Sequence, residues 1–111
     1  MTARLRSDLF VAALIRSVEV AGGHGAVVRK GFGEAGAVHV EWRWRGEVGL
    51  LSPAPQSMAA DDGERRFMRV EAADEASIAE RMASERRFDE EAWHVEIEGV
   101  DPATLLAIVE A

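Results

Sequence analysis

One stretch of this chain alternates apolar and polar side chains for eight consecutive positions, from Val38 to Arg45. Because successive side chains of a β-strand point to opposite faces of the sheet, this pattern is typical of a strand with one buried face. We expect the two valines and two tryptophans of the stretch to face the core. The polar residues should form an exposed face: His39, Glu41, Arg43 and Arg45.

Two further strands are predicted on either side of this stretch. A short stretch at 26–30 precedes it, in which three apolar residues are followed by Arg29 and Lys30, and the link 31–36 between them contains three glycines. A strand, a glycine-rich link and a second strand are typical of a β-hairpin. Gly46 then predicts a tight turn into a third strand at 47–51. We expect these three strands to pair in sequence order as an antiparallel meander.

Helical patterns flank the predicted strands. Residues 3–21 place their apolar side chains on one stripe, and Gly22 is suited to ending a helix there. Asp74 is a suitable N-cap for a second helix near 74–88. Alternation at 66–70 and again at 93–98 predicts a fourth and a fifth strand.

The C-terminal residues predict a third helix. Asp101 can cap it, Pro102 suits its first position, and four apolar residues follow closely. The predicted order is therefore αββββαβα, in one α+β domain over residues 1–111. Because each strand alternates, we expect a mostly antiparallel sheet of about five strands with the helices on one face.

Charge and cysteine content exclude several classes of protein. The net charge is −7, with +3 on residues 1–45 and −10 on residues 46–111. This acidity argues against a dedicated duplex-DNA binder, which needs many basic contacts to phosphate. The absence of cysteine excludes a thiol nucleophile and a Cys-ligated metal site. The apolar run at 9–15 is too short to span a membrane and precedes no convincing cleavage pattern, so we expect a cytoplasmic protein.

The glycines at 31–36 match the string G-x-G-x-x-G. A dinucleotide site needs a helix directly after such glycines, because the helix N-terminus meets the pyrophosphate. A protein-kinase loop needs a downstream lysine and a catalytic loop that this chain lacks. We interpret the motif as a glycine-rich turn and predict no cofactor.

A metal site is an alternative that the sequence leaves open. If the strand bearing His94 and Glu96 paired with the strand bearing His39 and Glu41, their side chains could bind a divalent cation. Nothing in the sequence sets that register, and exposed sheet faces are commonly rich in glutamate. A nuclease-like core is a related alternative, but Arg43 stands where such a core needs lysine. We therefore assign no catalytic or metal residue, and a metal-dependent hydrolase or nuclease-like enzyme remains the alternative.

Basic residues suggest a third hypothesis, the binding of single-stranded nucleic acid by the predicted hairpin. The alternation places the tryptophans on the face opposite the arginines, which argues against nucleic acid as a partner. Arg86 and Arg87 suit a helix C-terminus, where cations oppose the helix dipole. The basic residues of the hairpin are Arg29, Lys30, Arg43 and Arg45.

The favoured hypothesis is a non-enzymatic module that binds another protein or a second copy of itself. An exposed sheet edge or the loop 53–63 would carry the contact, and a second apolar stripe with Leu5, Leu9 and Val20 favours self-association. The sequence identifies no membrane contact and no small-molecule ligand. The candidate surface consists of His39, Glu41, Arg43, Arg45, His94, Glu96, Arg86 and Arg87.

Several short segments of the sequence occur in a recognisable order: Ala21-Gly22-Gly23, Ala26-Val27-Val28-Arg29-Lys30-Gly31, Pro53-Ala54-Pro55-Gln56, Arg65-Arg66-Phe67 and Arg87-Phe88-Asp89. Together they resemble DUF1491, a family of small bacterial proteins known only as a domain of unknown function. The resemblance covers nearly the whole chain and implies a free-standing bacterial cytoplasmic protein. It implies no activity, cofactor or catalytic residue.

Overall fold

The computed structural model describes residues 6–32, 35–55, 64–71 and 74–110, which excludes Leu5 and positions 56–63 of the predicted loop. No helix within these ranges has the length and apolar character needed to cross a membrane. In chain order the elements are α1 (Ser7–Val20), β1 (His24–Arg29), β2 (Val38–Trp44), β3 (Glu47–Pro53), β4 (Arg66–Val70), α2 (Glu75–Phe88), β5 (Trp93–Glu98), a 3₁₀ turn (Pro102–Thr104) and β6 (Ala107–Ile108).

The described strands form one mixed sheet of six strands in the order β1-β5-β2-β3-β4-β6. Strand β5 pairs antiparallel with β1 and parallel with β2. The pairs β2 with β3 and β3 with β4 are antiparallel, and β6 is parallel to β4. The α+β class is therefore confirmed, whereas the prediction of about five mostly antiparallel strands was wrong.

The predicted hairpin between β1 and β2 does not form, because β5 lies between these two strands. The link that joins them crosses the start of β5, where the Trp93 N–H donates to the Ala37 carbonyl at 2.7 Å. The Phe32 N–H donates to the Glu91 carbonyl at 3.2 Å. A Cβ on Gly36 would lie 2.1 Å from that Glu91 oxygen. Glycine is thus required for the close approach of this crossing rather than for a hairpin turn.

The two helices cover opposite faces of the sheet, so the prediction that they share one face was also wrong. Helix α1 packs Val11, Leu14 and Val18 into the main core, which includes Leu51 of β3. Helix α2 packs Ile78 and Met82 against Leu50, on the other face. Neighbouring side chains of a strand point to opposite faces, and β3 is apolar at both positions. Each face of β3 therefore buries a leucine beneath a different helix.

The predicted C-terminal helix is replaced by one 3₁₀ turn and the short strand β6. Asp101 does cap this turn, accepting from the Ala103 N–H at 3.0 Å. The chain then pairs with β4, and the Val109 N–H donates to the Phe67 carbonyl at 2.8 Å. A short apolar run does not distinguish helix from strand, and here pairing satisfies backbone groups of β4.

The turn between β2 and β3 agrees with the sequence. Arg45 and Gly46 have φ values of 52° and 77°. Positive φ at both central residues is typical of the two-residue turn whose twist matches the flanking strands. The turn sets the register in which Glu41 lies opposite Leu50.

Candidate functional site

The parallel pairing of β2 with β5 brings together the histidines and glutamates that the sequence left unconnected. His39 lies beside His94, and Glu41 lies beside Glu96. These residues occupy the sheet face under α2, because Glu41 is also opposite Leu50, which packs against that helix. The predicted polar face therefore exists, but helix α2 covers part of it: His39, Glu41 and His94 are buried, whereas Arg43 and Glu96 are partly exposed. We call it the buried polar network.

Arg43 is the cationic centre of this network. Its Nη2 donates to Glu41 Oε2 at 3.1 Å and its Nε donates to Glu96 Oε1 at 3.3 Å. It also forms an ion pair with Glu75, in the first turn of α2. The hydrogen bond that Arg43 donates to Glu75 is the main reason why the pKa of Arg43 is raised above its usual value. Behind Arg43, Glu41 Oε1 lies 3.0 Å from His94 Nε2, and both of these residues are 7% exposed.

His39 forms the second part of the network. Its Nδ1 lies 2.7 Å from the Ser52 hydroxyl on β3. Burial lowers the pKa of His39, because the imidazolium loses its hydration under α2. The other charged groups that act on it are Glu85 and Asp89, which raise its pKa, and His94 and Arg81, which lower it.

The network ties two strands to a helix, because the single guanidinium of Arg43 contacts carboxylates from β2, β5 and α2. The guanidinium of Arg43 occupies the position among the carboxylates where the metal hypothesis needs a cation. No group of three or more His, Cys, Asp or Glu side chains within the described ranges is placed to hold a metal ion. The geometry thus favours a structural role, because buried charges are tolerated when they are paired and hydrogen-bonded.

Arg45 lies outside the network. It occupies the turn after β2, and its guanidinium carbon is 4.4 Å from the ring centre of Trp44. Trp42, in contrast, packs against the main core, directly opposite Gly49, where a Cβ would meet its ring at 2.5 Å. The sequence predicted an exposed polar face that ends at Arg45. In the structure Glu41 of this face is buried, and Arg45 belongs to the turn that follows the strand.

Three other arginines line one open cleft of about 610 Å³, together with Ala83 and Glu90. We call this the arginine cleft. Arg86 and Arg87 come from the last turn of α2. Arg29 comes from the end of β1, where a bulge at Val28 places it opposite His94, on the α2 side of the sheet. Within the described ranges, none of the three arginines forms an ion pair.

Part of this arrangement was visible in the sequence. Arg86 and Arg87 were candidates, but Arg29 was connected with Arg43 through a hairpin that does not form. Glu75 and Ser52 were not candidates, because only the tertiary register brings them to the network. The acidic first turn of α2 was visible, but nothing local indicated that Glu75 would meet Arg43.

The sequence profile of a family described as a protein of unknown function, DUF1491, matches residues 5–107. This chain belongs to the DUF1491 family. A comparison with curated proteins gives no match.

Solved structures share the fold of this DUF1491 protein. The solution structure of protein Atu0922 from A. tumefaciens is 46% identical, with 97% of each chain covered and a TM-score of 0.84. The crystal structure of a DUF1491 family protein from Caulobacter crescentus CB15 is 34% identical, covers 96% of this chain and 98% of that chain, and has a TM-score of 0.79. An NMR structure of a DUF1491 family protein from the same organism is 35% identical, with coverages of 98% and 100% and a TM-score of 0.79. Family membership thus establishes the fold and leaves the activity unassigned.

Proposed function

We propose that this DUF1491 protein is a non-enzymatic binding module of the cytoplasm that docks an acidic, extended segment of another protein. The segment would pair with edge strand β1 and place its carboxylates in the arginine cleft. One observation carries the proposal: Arg29, Arg86 and Arg87 line one open cleft beside an exposed sheet edge.

The charge of the cleft supports an acidic partner. The chain has seven more acidic than basic residues. Arginines elsewhere form ion pairs with acidic side chains, as Arg6 does with Asp8 and Arg81 does with Glu85. Glu90 lines the arginine cleft itself, yet no ion pair joins it to Arg86. Neighbouring guanidinium groups repel one another, and a bound carboxylate would relieve that repulsion while accepting two parallel hydrogen bonds.

The edge strand supports an extended partner. Strand β1 is at one end of the sheet and is exposed along its length except at Gly25. An edge strand presents unpaired N–H and C=O groups that an added strand can bind. Val27 and Val28 are exposed there, and Arg29 leads directly from the edge into the arginine cleft. A strand added to β1 would therefore place alternate side chains beside the arginines.

Nucleic acid shares the anionic chemistry but fits the geometry less well. Strand β5 separates Arg29 from Arg43, so the basic hairpin that motivated that hypothesis does not exist. Arg43 is already bound to carboxylates, and Arg45 lies over Trp44. We treat single-stranded nucleic acid, and a second copy of this chain, as competing outcomes of the experiment.

A fluorescent peptide of alternating valine and glutamate is a suitable probe, because it combines β-propensity with carboxylates on one face. We expect saturable binding to the wild-type protein, and about tenfold weaker binding to an Arg86→Glu/Arg87→Glu variant, from the loss and reversal of two partly exposed ion pairs. Arg16→Glu is the control, since Arg16 is an exposed helical arginine far from the cleft in the sequence. This control should bind as the wild type does.

A matched peptide with lysine in place of glutamate distinguishes recognition of negative charge from nonspecific peptide binding. Equal binding of the two peptides, or equal binding to the wild-type and the Arg86→Glu/Arg87→Glu proteins, would overturn the proposal. Preferential binding of a single-stranded oligonucleotide through the same arginines would assign the cleft to nucleic acid instead. Dimerisation measured by light scattering and abolished in the same variant would assign it to a second copy.

A further inference from the structure

A second cleft opens on the other side of the sheet, where the link after β1 crosses the start of β5. It has a volume of about 480 Å³ and is lined by Asp8, Lys30, Gly31, Phe32 and Trp93. Small-molecule sites are commonly concave, mainly apolar, of this size, and supplied with a few polar groups. We call it the indole cleft.

A buried hydrogen-bond donor in the wall of this cleft has no acceptor. Trp93 is only 4% exposed, and its Nε1 has no hydrogen-bond partner. Buried indole N–H groups usually find a partner, because an unsatisfied buried donor costs about 1 to 3 kcal/mol. The Gly31 backbone packs on this edge of the ring, since a Cβ there would lie 2.6 Å from Trp93 Cδ1. Trp93 thus brings a donor that lacks an acceptor to the wall of the cleft, beneath Gly31.

The other lining groups define the chemistry of an acceptor. Lys30 is exposed, and no ion pair engages it within the described ranges. Asp8 is neutralised by Arg6, whose Nη2 lies 3.0 Å from Asp8 Oδ2. The ring of Phe32 is 67% exposed and offers an apolar surface. An ammonium, an indole N–H and an aromatic ring together suit a carboxylate attached to an apolar body.

We propose that the indole cleft binds a small carboxylic acid with an aromatic or acyl body. On binding, the Gly31 backbone shifts off the ring, so that the carboxylate accepts from Trp93 Nε1 and pairs with Lys30, while the apolar body lies against Phe32. This site is independent of the arginine cleft, because Trp93 packs into the main core on the α1 side of the sheet.

Titration with phenylacetate tests the site, observed through the indole N–H signals of the ¹⁵N-labelled protein. The chain has three tryptophans, and the Trp93 signal is assigned as the one missing from Trp93→Phe. We expect phenylacetate to shift this signal saturably at millimolar concentration. Phenylacetamide, which has the same body without the charge, should bind about threefold more weakly, as should the Lys30→Ala protein titrated with phenylacetate.

Arg29→Ala is the matched control. It also removes one cation, and Arg29 is next to Lys30 in the sequence, but Arg29 lines the arginine cleft instead of the indole cleft. It should leave the phenylacetate titration unchanged. A Trp93 signal that shifts with neither phenylacetate nor phenylacetamide would overturn the site. Equal shifts with acid and amide, or in wild type and Lys30→Ala, would overturn the carboxylate assignment.

Discussion

Glu41 shows how a residue that resembles a surface group can become part of a buried structure. It accepts a hydrogen bond from Arg43, and its Oε1 lies 3.0 Å from His94 Nε2, within a strand that alternates as an exposed one would. The polarity of the residue was visible in the sequence. Its burial was not, because helix α2 comes from a part of the chain more than thirty positions away.

We expect Glu41→Gln to lower the free energy of unfolding by about 2 kcal/mol, because a buried charge network loses one partner. The substitution keeps the shape of the side chain while removing its charge. Denaturation in urea measures the change. Glu98→Gln on the exposed end of β5 is the control, and should change the free energy of unfolding by less than about 0.5 kcal/mol. Equal effects of the two substitutions would contradict a stabilising network.

His39 should make stability depend on pH. Its folded-state pKa lies below the ordinary value of 6.5, chiefly because of burial, so the unfolded chain takes up the proton at a higher pH than the folded protein. Its contribution is therefore complete above pH 6.5 and is lost as the pH falls from there through the folded pKa. Unfolding in urea on both sides of this window measures the loss.

The His39→Gln variant should lose less stability on acidification than the wild type does. His24→Gln serves as the control, since His24 is exposed on β1, and it should keep the wild-type pH dependence. If His39→Gln lost as much stability as the wild type on acidification, burial of His39 would not be the source of the dependence.

The link between β1 and β2 is the element whose interpretation changed most. Its glycines were visible in the sequence and predicted a hairpin turn. Their actual role is to let the backbone cross the start of β5, where Gly36 lies against the Glu91 carbonyl. Local pattern indicates that a backbone must bend or approach something closely, but it does not identify what it approaches.

We expect Gly36→Ala to destabilise the fold by about 2 to 3 kcal/mol, because the added Cβ meets backbone that has little freedom to move. Gly22→Ala is the comparison, since it has a φ of +93° but open space around it. Its cost should be only about 1 kcal/mol, from backbone conformation alone. Denaturation in urea measures both, and a smaller loss at Gly36 than at Gly22 would contradict the crossing.

Helices and strands with strong local signals were predicted well. Asp74 caps α2 by accepting from the Ser77 N–H at 2.8 Å, as its position indicated. The strand at 93–98 also lies where its alternation placed it. The C-terminal helix failed because its apolar run is short, so the pairing of β6 with β4 decided its conformation.

At the scale of the whole molecule, strand order is what sequence alone did not provide. Placing β5 between β1 and β2 depends on contacts between residues at least 55 positions apart, such as Val40 beside Val95. That placement explains both candidate surfaces. It buries the histidines and glutamates under α2, and it leaves β1 as an edge that carries Arg29 toward Arg86 and Arg87.

Hydrogen exchange of the β1 backbone amides tests the central claim most directly. In an edge strand every second N–H faces away from its partner strand, so these amides should exchange rapidly in the free protein. The alternating valine and glutamate peptide should slow them by at least about tenfold, and the lysine peptide should not. Protection should also disappear in Arg86→Glu/Arg87→Glu. Rapid exchange of β1 in the presence of saturating acidic peptide would contradict the account.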